Sequence, residues 1–375
     1  MRKMLVTGGA GFIGANFVHY WTRHHPEDRL TVLDSLTYAG NLENLRGVKD
    51  HPGFSFIRGD ICDQALVEQI LRERTVDTIV HFAAESHVDR SIHGPDEFIR
   101  TNITGTHSLL KAARQVWLEE RSSGRKNGHR FHHVSTDEVY GSLGPDDPAF
   151  TEKTPYAPNS PYAASKAASD HLVRAYHHTY GLDVTTSNCS NNYGPYQFPE
   201  KLIPLMLINI LAGKPLPVYG DGLNIRDWLH VEDHCRGIEL ILKKGRPGEV
   251  YNIGGNTELT NIEIIRILCS LLDRKIASDE DLRKRFPDSP AAVGKSSTSL
   301  ISYVKDRPGH DRRYAIDPSK TMAELGYMPE ITFEKGLRDT LMWYLENEAW
   351  WRSILDGTYR QWIRQQYGRG RDRTE

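Results

Sequence analysis

The 375-residue chain has only four cysteines, at 62, 189, 235 and 269, and no C-x-x-C pair among them. Thiols scattered in this way exclude a disulfide framework or a zinc site of paired cysteines and fit a reducing compartment. An excess of one charge is also missing, since 47 Lys and Arg stand against 49 Asp and Glu, a formal net charge of −2. No overall field draws the chain to nucleic acid or an acidic membrane, and the basic stretch Arg369-Gly370-Arg371-Asp372-Arg373 reads as a solvated tail. No apolar run approaches the ~18 residues that a membrane span requires. The first residues enter a core strand directly, without a signal-peptide pattern, so a soluble cytoplasmic protein is expected. The 17 histidines contain no His-Glu-x-x-His pattern. The pairs His24-His25, His132-His133 and His177-His178 are sequence neighbours whose side chains point to different faces, so no metal is expected. Internal repeats are absent.

What is present begins at the N-terminus. The apolar strand Met4-Leu5-Val6-Thr7 runs into Gly8, Gly11 and Gly14, followed by an amphipathic helix through about His25. Such glycines let the backbone turn sharply and approach a pyrophosphate, which then rests on the helix N-terminus. Twenty residues after Gly14, Asp34 closes the strand Leu30–Leu33. A carboxylate there accepts hydrogen bonds from the adenosine ribose and repels a 2′-phosphate, which predicts NAD over NADP.

Apolar runs at Met4–Thr7, Leu30–Leu33, Phe54–Arg58, Thr78–Ala83, Phe131–Ser135 and Val184–Ser187 read as buried parallel strands. Helical periodicity lies between them, over Ile13–His25, Asp63–Glu73, Asn102–Glu120 and Tyr162–Tyr180. The alternation predicts an α/β fold, a doubly wound and mostly parallel Rossmann sheet covered on both faces. Ligands of such sheets bind at the carboxyl ends of the strands. The glycines, Asp34, Asp60-Ile61, Ala83-Ala84-Glu85-Ser86 and Ser135–Glu138 all fall at those ends. The expected organisation is a dinucleotide-binding domain over 1–192, a smaller substrate lobe over 193–350 and a C-terminal extension over 351–375. Segments after about 220 are allowed to return to the main sheet. Helices are expected near Val231–Lys243, Asn261–Leu272 and Pro318–Leu325, and exposed loops over Arg121–His129 and Ser278–Thr298.

The chemistry-bearing pattern is Tyr162-Ala-Ala-Ser-Lys166 downstream of Ser135-Thr136-Asp137-Glu138. Residues four apart share one helix face, so the ammonium can sit beside the phenol. A tyrosine of ordinary pKa about 10 is a poor base, and a fixed positive charge beside it favours the phenolate. Thr136, Asp137 and Glu138 add a hydroxyl and two carboxylates, the parts needed to protonate one oxygen and deprotonate one carbon. Carbon 5 of a hexose has no acidic hydrogen until carbon 4 is oxidised to a ketone. A tyrosine–lysine pair with an added acid and base therefore suits oxidation, elimination of water and reduction in sequence. Arg226, in Ile225-Arg226-Asp227, is read as a phosphate ligand rather than the partner of Asp227. His81, His87 and Cys189 are read as packing residues.

Together these residues resemble the extended short-chain dehydrogenase/reductase family, in its dTDP-glucose 4,6-dehydratase branch, over about residues 4 to 350. The resemblance is carried by Thr7–Gly14, His81–Ser91, Ser135–Gly141, Tyr162–Lys166, Ser190–Pro195, Arg226-Asp227-Trp228 and Asp306–Asp311. It implies a lyase of deoxysugar biosynthesis that makes dTDP-4-keto-6-deoxyglucose. Tyr162 would take the 4-hydroxyl proton, with Lys166 tuning it and holding the nicotinamide ribose. Thr136 would hydrogen-bond the 4-oxygen, Glu138 would take the carbon-5 proton and Asp137 would protonate the departing 6-hydroxyl. Gly8, Gly11, Phe12, Ile13, Gly14, Asp34, Asp60, Ile61, Ala83, Ala84, Thr101, Ser135, Tyr162, Lys166 and Asn192 would surround NAD. Ser86, Thr136, Asn191, Lys201, Leu202, Pro217, Tyr219, Arg226, Asn261, Arg307 and His310 would hold dTDP-glucose.

The resemblance also implies a homodimer through the helices Asn102–Glu120 and Tyr162–Tyr180, with Leu109, Leu110, Leu172 and Val173 serving both core and interface. The Asp137-Glu138 pair is the discriminator, since by resemblance 4-epimerases keep the Tyr and Lys without it. A UDP- or GDP-sugar 4,6-dehydratase, a 4-epimerase and a non-catalytic NAD-sensing regulator stay open as alternatives.

Overall fold

The computed structural model describes residues 1–120 and 128–355. Most of the expected loop Arg121–His129, and the extension beyond residue 355, lie outside the described residues. The described residues divide into two compact units: those of 1–192, 227–257 and 313–331 form the first, and those of 193–226, 258–312 and 332–355 the second.

The first unit is built on seven strands: β1 (Lys3–Thr7), β2 (Arg29–Asp34), β3 (Phe54–Arg58), β4 (Thr78–His81), β5 (Arg130–Thr136), β6 (Val184–Cys189) and β7 (Val250–Ile253). Their order is β7-β6-β5-β4-β1-β2-β3, and every pairing in it is parallel. The chain runs outward from β1 to β3, then returns to the other side of β1 as β4. That reversal is the topological switch point, where parallel sheets bind nucleotides.

Side chains alternate across the sheet, as a strand's period of two requires. Met4 and Val6 join Val32 and Val80 in one core, while Leu5 joins Leu33, Ile79 and Phe131 in another. The first core is closed by α1 (Phe12–His24), through Phe17, Val18 and Trp21. The opposite face is covered by α2 (Gln64–Glu73), α3 (Thr106–Ala113) and α4 (Pro161–Tyr180), through Val67, Ile70, Leu109, Leu110, Val173 and Tyr176. Back on the first face, α5 (Val231–Lys244) adds Ile238, Ile241 and Leu242. Each such side chain contributes about 1.5–3 kcal/mol on full burial, which holds the strand ends still for chemistry.

Within the span 193–350, residues 227–257 and 313–331 belong to the first unit. β7 and α5 return to the first unit because their apolar residues complete its core. Ser278–Thr298 is not a loop. It holds the helix Glu280–Arg285, and Leu282, Phe286, Ala291, Ser289 and Ser297 are buried. Its few apolar residues are spread among charges, which hid their periodicity. In the second unit, Leu216–Tyr219 pairs in parallel with Ile301–Val304, and a Thr260–Glu263 capping box starts the helix Asn261–Ala277. No helix among the described residues is long and apolar enough to cross a membrane.

Candidate active site

The turn after β1 is a close backbone approach. Gly8 has φ +69°, and a Cβ there would stand 2.6 Å from the Ala83 Cα; a Cβ on Gly14 would meet the Gly8 carbonyl oxygen at 2.3 Å. Gly11 precedes α1, whose first turn carries neither a side-chain cap nor an acidic residue. The backbone N–H groups of Phe12, Ile13 and Gly14 therefore offer an anion the positive end of the helix.

Asp34, at the end of β2, is buried. Its Oδ2 accepts the Ala10 N–H at 2.9 Å and its Oδ1 the Leu36 N–H at 2.8 Å. Burial holds its carboxyl above the ordinary value, and each oxygen keeps a lone pair for a further donor. Asp60 accepts from the Cys62 N–H at 2.9 Å and pairs with Arg100. Ile61 lies in the core beneath it, and Thr101 sits in a π-helical turn, Ile99–Gly105, that runs directly into α3. Ala83 and Ala84 follow β4, and the Asn192 amide is fixed by His234 Nδ1 at 2.9 Å and the Ser190 carbonyl at 3.0 Å. A turn that a Cβ would close, an uncapped helix and a buried acid after the second strand together fit a dinucleotide.

Tyr162 and Lys166 enter on the first turns of α4. Ser160 caps that helix, its Oγ accepting the Ala163 N–H at 3.1 Å, and Pro161 stands in the first turn. Ser135 and Thr136 end β5, and Asp137–Tyr140 turns away as a short 3₁₀ helix. Thr136 Oγ1 accepts the Glu138 N–H at 3.3 Å, donates to Asp137 Oδ1 at 3.3 Å and is hydrogen-bonded to the Tyr162 side chain. The structure thus brings Thr136, Asp137, Glu138 and Tyr162 together.

Lys166 is not among the groups that act most strongly on the Tyr162 phenol. Burial, and next the charge of Glu138, push the Tyr162 phenol well above its usual value, and the Thr136 bond opposes them only in part. Lys166 Nζ donates instead to the Val134 carbonyl at 2.8 Å, and burial lowers its pKa against the pull of Asp170. The helix spacing places both groups in one buried region, but the ammonium satisfies itself on the strand.

Asp170 is the residue that the sequence reading missed. It is buried one turn beyond Lys166, and its Oδ2 accepts from Ser135 Oγ and Tyr156 Oη, each at 2.9 Å. Its Oδ1 lies 3.1 Å from His133 Nε2, and burial pushes its carboxyl up to about 6. The i, i+4 spacing of Lys166 and Asp170 was the available signal. Ser135 thereby serves this carboxylate. His81 bridges Thr7 and Thr106 at 2.7 and 2.9 Å, and His87 caps the helix Val88–His93, so both are structural. Burial pushes the Cys189 thiol up to about 12, as a packing residue requires.

Of the expected substrate residues, Ser86, Thr136 and Asn191 belong to the first unit. The others belong to the second. In the second unit Arg226 donates to the Ile225 and Asp311 carbonyls at 2.7 and 3.0 Å, while in the first the Asp227 carboxylate accepts the Gly255 and Thr257 N–H groups. Arg226 and Arg307 both lie close enough to His310 to oppose its protonation, and burial, with these charges, lowers its pKa to about 4. Tyr219 meets the His310 ring edge-on at 6.1 Å, and Pro217 lies on the same strand. Two guanidiniums and an imidazole at the end of a short sheet suit phosphate oxygens. Lys201 and Leu202 start the helix Leu202–Leu211, and Asn261 starts the helix Asn261–Ala277.

The sequence profile of the family described as GDP-mannose 4,6 dehydratase matches residues 5–340. The chain is 54% identical over 360 residues to a dTDP-glucose 4,6-dehydratase of Neisseria meningitidis, covering 96% of this chain and 98% of that one. It is 52% identical over 365 residues to that of Escherichia coli, covering 95% and 97%. The chain belongs to the dTDP-glucose 4,6-dehydratase family. A solved dTDP-glucose 4,6-dehydratase of Streptomyces venezuelae, with NAD bound, is 50% identical with a TM-score of 0.83, over 94% of this chain and all of that one. A UDP-glucose 4-epimerase of Thermotoga maritima shares the fold at a TM-score of 0.76 over 92% and 99%, but only 26% of the residues. The gap in identity separates the dehydratase branch from the epimerases that use the same scaffold.

Proposed function

We propose that this member of the family binds NAD at the glycine turn and converts dTDP-glucose to dTDP-4-keto-6-deoxyglucose and water. The observation that carries the reading is the pair of buried Asp137 and half-buried Glu138, joined through Thr136 to Tyr162. NAD supplies the site that takes the carbon-4 hydride and returns it to carbon 6. Tyr162 takes the 4-hydroxyl proton, and Lys166 and Asp170 fix the floor beneath it. With carbon 4 a ketone, Glu138 removes the now acidic carbon-5 proton while Asp137 protonates the departing 6-oxygen. Arg226, Arg307 and His310 take the diphosphate, and Ser86, Asn191, Lys201, Leu202, Pro217, Tyr219 and Asn261 surround the rest. The scattered thiols support a cytoplasmic location.

Deuterium placed on carbon 4 should appear on carbon 6 of the same product molecule, and solvent deuterium at carbon 5. A label that returned to carbon 4 with inverted configuration would make the chain an epimerase.

The homodimer belongs to the same proposal, with its contact moved. Leu109, Leu110 and Val173 are 0% exposed in the protomer's own core and cannot also serve an interface. Ala164, His171 and Ala175 are exposed along α4, where small side chains permit close approach of a second copy. Light scattering at micromolar concentration should give the mass of two chains, and the mass of one would refute the dimer.

A further inference from the structure

Over one cycle of the proposed reaction, Tyr162 and Asp137 end in altered protonation states. Oxidation moves the 4-hydroxyl proton onto the Tyr162 phenolate. Elimination takes a proton from the Asp137 carboxyl to the 6-oxygen, which leaves as water. Glu138 takes the carbon-5 proton and returns one to carbon 5, so it finishes unchanged. The site is left with a neutral phenol and an ionised Asp137, one proton transfer away from its starting state.

The Thr136 hydroxyl stands between the two groups. A hydroxyl has one proton and two acceptor lone pairs. The Glu138 N–H occupies one lone pair at 3.3 Å; when Tyr162 is a phenolate the hydroxyl proton can turn to it, and when Tyr162 is a neutral phenol its O–H can donate to the other lone pair, leaving the hydroxyl proton on Asp137 Oδ1 at 3.3 Å. Tyr162 and Thr136 are 8% exposed and Asp137 2%, which restricts bulk water as a carrier.

We propose that the Thr136 hydroxyl passes a proton from Tyr162 to Asp137 after each turnover and so resets base and acid together. The proposal rests on the reading of Tyr162 as base and Asp137 as acid. The Tyr162 O–H bond breaks as its proton joins Thr136 Oγ1, while the proton already on Oγ1 joins Asp137 Oδ1. The hydroxyl is whole before and after, and no oxidant or reductant is needed. The positive nicotinamide ring present at the end of the cycle favours the phenolate. Beside the Glu138 carboxylate, a second negative charge on buried Asp137 is disfavoured. Both effects drive the proton towards Asp137.

The test compares first and later turnovers by rapid quench, counting keto-sugar per site after mixing excess dTDP-glucose with NAD-loaded enzyme. Thr136→Val slows the first turnover, because the hydroxyl also meets the 4-oxygen. It is then expected to give a burst of one product per site, followed by turnover at least about tenfold slower. Thr136→Ser keeps the hydroxyl and should show no burst. If Thr136→Val does not fold, Thr136→Ala carries the same comparison. An active unmodified enzyme whose Val or Ala variant is slowed equally in first and later turnovers would overturn the relay alone, as would a burst in the Ser variant. An unmodified enzyme that makes no keto-sugar would remove the reading beneath it.

Discussion

NAD binding is expected to tighten as pH rises, and Tyr162→Phe to abolish that slope while lowering turnover by about 10²–10⁴. In the chain itself the Tyr162 phenol is held well above its usual value, first by burial and then by the charge of Glu138. It is therefore protonated across neutral pH. The nicotinamide ring adds a positive charge close to the phenol, which favours the phenolate in the complex. The complex then holds fewer protons than the free protein, so raising the pH between the two pKa values favours the complex, by up to about tenfold per pH unit. Below the pKa in the complex the phenol stays protonated in both states and the slope vanishes. Calorimetry in buffers of different ionisation enthalpy counts the released proton directly. Phenylalanine keeps the ring and its edge-on contact with Phe98 at 6.4 Å, so the variant should still bind NAD. A Tyr162→Phe enzyme that keeps the pH slope would show that another group releases the proton.

That prediction rests on burial, which residue spacing does not show. Spacing alone put the Lys166 ammonium beside the phenol, because residues four apart share a helix face. What spacing cannot show is where the ammonium's donors go. The Val134 carbonyl lies on a neighbouring strand, 32 residues away, and accepts a hydrogen bond from Lys166 Nζ at 2.8 Å. Asp170 was legible in the same way as Lys166, but nothing in the sequence showed that Ser135, Tyr156 and His133 would converge on it. β1, β2 and β4 were legible because strands buried on both faces read as largely apolar runs. β7 was not, since Val-Tyr-Asn-Ile is four residues long and its partner β6 lies more than 60 residues earlier. The motif-bearing strand ends were found because glycines and acids interrupt apolar runs there. Apart from Arg226, the second unit's site residues came only through resemblance: Pro217, Tyr219, Arg307 and His310 stand far apart in sequence and meet through the pairing of Leu216–Tyr219 with Ile301–Val304.

Glu138→Gln is expected to separate the first chemical step from the second. Glutamine keeps the volume and the backbone N–H that Thr136 accepts, but it cannot take a proton from carbon 5. Oxidation at carbon 4 uses Tyr162, Thr136 and NAD but not Glu138, so bound NADH should form once per site and persist, while keto-sugar turnover falls by about 10²–10⁴. Incorporation of solvent deuterium at carbon 5 should fall with it. The electrostatics add a second signature. The charge of Glu138 is, after burial, the largest effect holding the Tyr162 phenol up. Removing it lowers the phenol's pKa, so the phenolate persists to lower pH, and the rate of NADH formation should extend to lower pH than in the unmodified enzyme. A stopped-flow absorbance trace across a pH series reads both effects at once. If no NADH formed at any pH, Glu138 would be needed for the oxidation itself, and its assignment as the carbon-5 base would fail. If NADH formed and decayed at the unmodified rate, the base would be another residue.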